Sequence, residues 1–353
     1  MPDSPRTRPE LVIATPLEDE LVARIAAEVE GYRCRHEPGL LPPPRYPGDH
    51  RGRSDFRRTP ADERRWRELV DGADVLFGIP GDDPAELRRV VDGSSRLRFV
   101  QATAAGAGQQ VEAAGLTAEE LDRVAVASSS GVHAGPLAEF ALFGMLAFAR
   151  GLPRLETDRR ERRWDHYAVR DLAGRTAVVL GVGAIGSRIA ELAAAFGMYV
   201  IGVNASGRPP STPVHELARA DRLPELAPRA DVLAITLPQT PKTIGMVDAG
   251  VLAAMPPGAI VVNVGRGRVV DEATLVDLLD RGHLAGAALD VTAEEPPAPD
   301  SPLWTLPNVI LSPHTAALSP HENERIVDLF VDNVRRLDTG RPVRNRITAA
   351  RSY

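Results

Sequence analysis

A chain of 353 residues has length enough for two domains, and its 43% apolar and 25% charged residues are those of an ordinary globular protein. A net charge of −6 speaks against a nucleic-acid partner, since such domains are usually basic. The single cysteine, Cys34, excludes an internal disulfide, the start is polar, and the longest apolar run, Phe140–Ala149, is too short to span a bilayer; a cytoplasmic protein with no membrane contact is expected.

Leu11–Ala14 reads as a strand and Leu17–Glu30 as a helix, with Leu21, Ile25 and Val29 on one face. Tyr32–His36 is a candidate second strand. Residues 37–61 then leave regular structure, punctuated by proline and glycine. From Arg45 to Arg67 eight arginines stand against four acids. This stretch is either a solvated surface loop or a cationic flap beside an entrance for an anionic substrate. Ala61–Leu69 and Pro84–Val91 follow as helices, and Asp74–Phe77, Leu97–Gln101 and Val124–Ala127 as strands. Alternation at this spacing means a parallel α/β layer. Small residues after Gln101, Ala105 and Gly106 among them, either bring backbone N–H groups close to a carboxylate or make a plain turn. Pro136–Gly151 is a long apolar helix, buried in a core or partly set against another subunit. Residues 152–172 read as a polar arm.

The stretch from 174 to 204 organises what remains. Thr176–Leu180 is a buried strand, and it ends in Gly181, Val182, Gly183, Ala184, Ile185 and Gly186. A helical pattern follows to Phe196, Gly197 closes it, and Tyr199–Val203 is a second strand. This strand–glycine turn–helix–strand unit suits a dinucleotide: Gly181 for the tight turn, Gly183 for close approach of a pyrophosphate, Gly186 for helix packing. Strands Val232–Leu237, Ala259–Val264, Ala287–Val291 and Val309–Leu311 follow, with helices Asp248–Met255 and Glu272–Arg281. Beyond Pro320, the spacing of Ile326, Leu329, Phe330, Val334 and Leu337 predicts an amphipathic helix that returns to the first domain.

Three ionisable residues follow three successive strands: Arg266, Glu295 and His314. Ligands of an open parallel sheet sit at the carboxyl ends of its strands, so the trio is expected at one edge. The set suits reduction of a 2-oxo acid. A protonated His314 can supply a proton to the carbonyl oxygen. Glu295 tunes it by favouring the imidazolium. Arg266 can clamp the substrate carboxylate as a fork and orient the carbonyl carbon.

The chain resembles the D-isomer-specific 2-hydroxyacid dehydrogenase family over essentially its whole length. The matching pieces are LGVGAIGSRIAELAAAFGM at 180–198, LPQTPKT at 237–243, NVGRGRVVDE at 263–272, LAGAALDVTAEEP at 284–296 and SPLWTLPNVILSPHTA at 301–316. The overall look is similar to glyoxylate/hydroxypyruvate reductase-like members. The resemblance puts the family's catalytic arginine, glutamate and histidine on Arg266, Glu295 and His314, and its nicotinamide-contacting aspartate on Asp290. It implies two Rossmann-like parallel-sheet domains with the site in the cleft between them. One is a flavodoxin-like substrate domain, 1–128 completed by 319–353, and the other a dinucleotide-binding domain, 129–318. It implies a homodimer, a small 2-oxo or 2-hydroxy acid substrate held partly by Ala105 and Gly106, and no metal. Gly181, Gly183, Ala184, Ile185, Gly186, Leu237, Pro238, Thr243, Val264, Gly265 and Asp290 would bind cofactor. The second strand of the unit ends in Asn204 instead of the acid that holds an NAD ribose. Ser206 and Arg208 follow, a set that favours NADP(H), with NAD(H) the alternative. His133 is read as structural and Cys34 has no assigned role. The rival reading is a dinucleotide-sensing, corepressor-like interaction protein with little or no turnover. An amino-acid dehydrogenase would have no reason for the trio, and the short C-terminus is an expectation against a phosphoglycerate dehydrogenase with a regulatory domain.

Overall fold

The computed structural model describes residues 8–205, 207, 212 and 214–348. The chain divides into two units, Met1–Val132 with Leu318–Tyr353, and His133–Ala317.

Four of the first unit's five strands are short runs with almost no polar residue, as strands buried on both faces must be, and the fifth, Arg33–Arg35, is a partly exposed edge strand. In chain order its elements are β1 (Glu10–Ile13), α1 (Asp19–Glu28), β2 (Arg33–Arg35), α2 (Pro60–Asp71), β3 (Val75–Phe77), α3 (Pro84–Gly93), β4 (Phe99–Gln101), α4 (Ala107–Ala113), α5 (Ala118–Arg123) and β5 (Ala125–Ala127). The sheet order is β2-β1-β3-β4-β5, all parallel, which is the flavodoxin-like doubly wound order. Local chemistry starts the helices. Thr59 accepts from Asp62 N ahead of Pro60, Asp83 from Ala85 N ahead of Pro84, and Thr117 forms a capping box with Glu120. Sequence patterning did not anticipate α4 and α5. Both are short, and α4 is rich in alanine and glycine, so neither carries a full apolar stripe.

Residues 37–59 hold one turn of 3₁₀ helix, Pro38–Leu40, yet the segment is pinned down. Leu40 and Leu41 are buried in the core. The buried Asp49 carboxylate accepts from Arg45 N at 2.9 Å, Arg45 Nε at 2.7 Å and Gly52 N at 3.1 Å. Thr15 Oγ1 donates to the His50 carbonyl, and the His50 ring bonds Asn323 Oδ1 at 2.8 Å. The Arg58 guanidinium lies 4.4 Å from the Trp66 ring centre. Arg45, Arg51, Arg53, Arg58, Arg65 and Arg67 pair with Asp49, Asp82, Asp55, Glu63, Glu37 and Glu63. Six of the eight arginines from Arg45 to Arg67 thus pair with five carboxylates, Glu63 serving two of them, instead of gathering into one cationic face.

The second unit runs α6 (Ala134–Ala149), α7 (Leu152–Glu161), β6 (Thr176–Leu180), α8 (Ala184–Ala195), β7 (Tyr199–Asn204), β8 (Glu216–Arg219), α9 (Leu223–Leu226), β9 (Val232–Ile235), α10 (Ala249–Ala254), β10 (Ala259–Asn263), α11 (Glu272–Asp280), β11 (Leu284–Leu289) and β12 (Val309–Leu311). Its seven parallel strands stand in the order β12-β11-β10-β9-β6-β7-β8. That is the dinucleotide-binding order, extended by one strand. Helix α6 packs on this sheet so closely that a Cβ on Gly144 would lie 2.3 Å from Ala288 Cβ, and one on Gly286 2.2 Å from Phe148 Cδ1. Three elements escape sequence patterning: α7, arginine-rich and without an apolar stripe, β8, a short edge strand, and α9, a single turn of four residues. Strand β11 starts at Leu284, three residues before the expected Ala287, because Leu284 and Gly286 already pair with Ala259 and Ile260 of β10. Among the described residues no single helix is long and apolar enough to cross a membrane.

The last helix, α12 (Glu322–Asp338), returns to the first unit. Phe330 sets its ring 5.1 Å edge-on to Phe77 and 6.1 Å stacked with Phe99. Asn333, fully buried, donates to Gln101 Oε1 at 2.9 Å and accepts from Arg344 N at 2.6 Å.

Candidate active site

The glycine turn after β6 is shaped by contacts that only glycine permits. Gly181 has φ +99°, and a Cβ on Gly186 would lie 1.7 Å from the Gly181 carbonyl oxygen. Thr236 Oγ1 donates to that same carbonyl at 2.8 Å. Gly183 differs: a Cβ there would meet nothing within 4 Å. No side chain caps α8, so the N–H groups of its first turn, those of Ala184, Ile185 and Gly186, are left without a capping side chain. A dinucleotide pyrophosphate fits this cradle by both shape and charge.

At the end of β7, Asn204 Oδ1 accepts from Gly207 N at 2.6 Å and closes a turn. Ser206 and Arg208 lie outside the described residues. After β9, Thr243 Oγ1 accepts from Thr240 N and donates to Pro238 O at 2.7 Å. The hydroxyl thus builds the loop that Leu237 and Pro238 begin. A Cβ on Gly265 would lie 2.6 Å from the Leu237 oxygen, so the loops after β9 and β10 touch backbone to backbone. Val264 is buried and donates its N–H to Ile235 O.

Arg266, Glu295 and His314 stand beyond the carboxyl ends of β10, β11 and β12, three adjacent strands. Buried Asn263 frames the arginine. Its Oδ1 accepts from Gly265 N and its Nδ2 donates to Arg266 O. The Arg266 guanidinium donates to Gly265 O at 2.7 Å. A Cβ on Gly267 would overlap the Thr292 carbonyl, so the arginine's turn lies against the loop that carries Glu295. Glu272 Oε2 accepts from Ala293 N in that loop.

Asp290 joins the three strand ends. Its N–H donates to Asn263 O, its carbonyl accepts from His314 N, and its buried carboxylate accepts from Ser312 Oγ at 2.8 Å and Ala316 N at 2.9 Å. His314 is held at φ +55°, and its Nδ1 bonds Glu295 Oε2 at 2.8 Å. The two side chains are 45% and 41% exposed, so solutes can reach them. The bond to Nδ1 leaves Nε2 as the nitrogen that can hold a transferable proton. Asn263, Ser312 and Glu272, which hold these loops, were not found by sequence reasoning. The one signal was a polar residue closing the apolar run AIVVN.

Ala105 and Gly106 lie in the first unit, after β4. Gly106 precedes α4, and the neighbouring Ala104 carbonyl accepts from Ser129 N. His133 opens the second unit, directly before α6.

The family model for "D-isomer specific 2-hydroxyacid dehydrogenase, NAD binding domain" matches residues 142–316. A putative 2-hydroxyacid dehydrogenase of Haemophilus influenzae is 31% identical over 255 residues, 68% of this chain and 77% of that one. The chain belongs to the D-isomer-specific 2-hydroxyacid dehydrogenase family. This family comprises NAD(P)-dependent oxidoreductases acting on CH–OH groups, and the second unit of this member carries its NAD-binding domain. A D-3-phosphoglycerate dehydrogenase of Mycobacterium tuberculosis is 33% identical over 289 residues, 77% of this chain and 52% of that one. The chain thus spans about half the length of the phosphoglycerate dehydrogenases it matches. A D-isomer-specific 2-hydroxyacid dehydrogenase of Xanthobacter autotrophicus Py2, solved with NADPH and MES, superposes with a TM-score of 0.74. It is 28% identical and covers 98% of this chain and 100% of its own.

Proposed function

We propose that this family member reduces a small 2-oxo acid to the D-2-hydroxy acid, or runs the reverse, with NADP(H) favoured and NAD(H) the alternative. The bound nicotinamide supplies or accepts the hydride. His314 Nε2 holds the proton that goes to the carbonyl oxygen. Glu295 fixes the ring's tautomer and stabilises its positive charge. Arg266 clamps the substrate carboxylate and turns the carbonyl carbon toward the cofactor. The first unit acts as the substrate domain, through Ala105 and Gly106. The observation that carries this reading is the 2.8 Å bond between His314 and Glu295, at the strand ends next to that of Arg266.

Exposed Phe143, Leu155 and Trp164, on and just beyond α6 and α7, support a homodimer. The lone Cys34 supports a cytoplasmic setting.

The test follows the absorbance of reduced nicotinamide. NADPH and NADH are offered in turn with glyoxylate, hydroxypyruvate, its phosphorylated form, pyruvate, phenylpyruvate and branched 2-oxo acids. Oxidation with at least one acid is the expected result. Tight cofactor binding with no turnover across the panel would overturn the proposal in favour of a dinucleotide sensor.

A further inference from the structure

We propose that Arg219 selects the cofactor by holding the 2′-phosphate that distinguishes NADPH from NADH. The inference rests on the cofactor reading above and adds a residue to it. In this topology the adenosine ribose is held at the end of the second strand of the nucleotide unit, here β7. Strand β8 runs parallel beside it, and the register sets Arg219 directly opposite Asn204. Asn204 is neutral, so the end of β7 offers no charge to repel a phosphate.

The side chain is carried across the turn that Asn204 closes. Gly207 has φ +67°, and a Cβ there would lie 3.4 Å from Arg219 Cγ and 4.0 Å from Cδ. The methylene stem of the arginine therefore rests over Gly207. The guanidinium is open to solvent, with the side chain 61% exposed. Its carboxylate contact is Asp221 Oδ2 at 3.4 Å, and that partner is 67% exposed. A pair this long and this wet is worth little. A dianionic phosphate offers the same fork two oxygens at once and displaces it. Sequence inspection of the residues just after β7 could not find Arg219, because it lies fifteen residues on, in an edge strand visible only in the sheet.

The experiment titrates adenosine 2′,5′-bisphosphate and 5′-ADP into the full chain by calorimetry, for wild type, Arg219→Gln, Arg219→Glu and Arg219→Lys. Wild type is expected to prefer the 2′,5′-bisphosphate. Arg219→Gln reduces that preference at least tenfold, Arg219→Glu reverses it, and Arg219→Lys, a charge without a fork, falls between. In turnover the loss appears as a raised KM for NADPH, with kcat little changed. An undiminished preference in Arg219→Gln overturns the inference. So does a wild type with no preference, even while NADH oxidation upholds the hydride-transfer reading. If neither nucleotide binds, the cofactor reading itself fails and this inference falls with it.

Discussion

His314 occupies a left-handed backbone conformation that costs a residue with a side chain about 1–3 kcal/mol. Its N–H on the Asp290 carbonyl and its ring on Glu295 hold it there. Glutamine keeps a polar side chain of similar reach but can neither carry the imidazolium charge nor release its proton near neutral pH. His314→Gln is therefore expected to lower kcat by about 10²–10⁴, with cofactor affinity nearly intact. Single-turnover kinetics beside a fluorescence titration of the reduced cofactor check this. Joint loss of turnover and binding would make His314 a structural residue. At this scale the sequence was partly legible. The strand ends that carry Arg266, Glu295 and His314 follow from apolar runs and their stops. Their spacing does not give the contact between His314 and Glu295, because the two stand nineteen positions apart on either side of β12. The framing by Asn263 and Ser312 was hidden for a related reason: a polar residue at a strand end shows no partner until the neighbouring loop is in place.

Among the elements, the loop between β2 and α2 is gathered on one buried carboxylate. Hydrogen bonds from Arg45, with further ones from the Gly52 and Arg45 backbone, hold the buried Asp49 carboxyl down at about 2, below its ordinary 3.8. A carboxyl depressed in the fold contributes stability above its unfolded value and loses it as pH falls through the folded one. The contribution of Asp49 is thus complete above about pH 4 and fades between there and about pH 2. Asp49→Ala, which leaves the Arg45 and Gly52 N–H groups unmatched, is expected to cost about 1–3 kcal/mol near neutral pH. Urea unfolding of wild type and variant at several acid pH values should show the gap closing as the pH approaches 2. A gap independent of pH would remove the ion pair from the account. The arginine count left this loop open between a solvated surface loop and a cationic flap. What composition hides is pairing: each carboxylate partner is remote in sequence or too sparse to register as a pattern. Strand β8 was missed for an analogous reason. Four residues, ELAR, at a sheet edge carry neither a buried run nor a clear alternation.

For the whole molecule, the parallel α/β architecture was legible from its central strands, because strands buried on both faces must be apolar and must be spaced by crossover helices. The return of α12 was legible from its stripe alone. Its polar anchor was not: Asn333 sits inside that stripe and reads as a misplaced amide until Gln101 and Arg344 appear beside it. Asn333→Leu would leave the buried Gln101 Oε1, and the half-buried Arg344 N–H, without these partners, at an expected cost of about 1–3 kcal/mol. Denaturant unfolding should report the loss in the first unit and leave the second near its wild-type midpoint. An unchanged first unit would show that the helix is held by its apolar face alone.

The order in which a ribosome delivers these parts has a consequence of its own. The second unit is one continuous stretch of chain, while the first is closed by a helix that follows it. Until α12 emerges, the sheet face around Phe77 and Phe99 has no Phe330 to cover it. At about 5–20 residues per second, the intervening residues take roughly ten to forty seconds to make. Throughout that interval the nascent chain carries a finished nucleotide domain beside a half-clothed apolar sheet, the kind of surface to which chaperones bind.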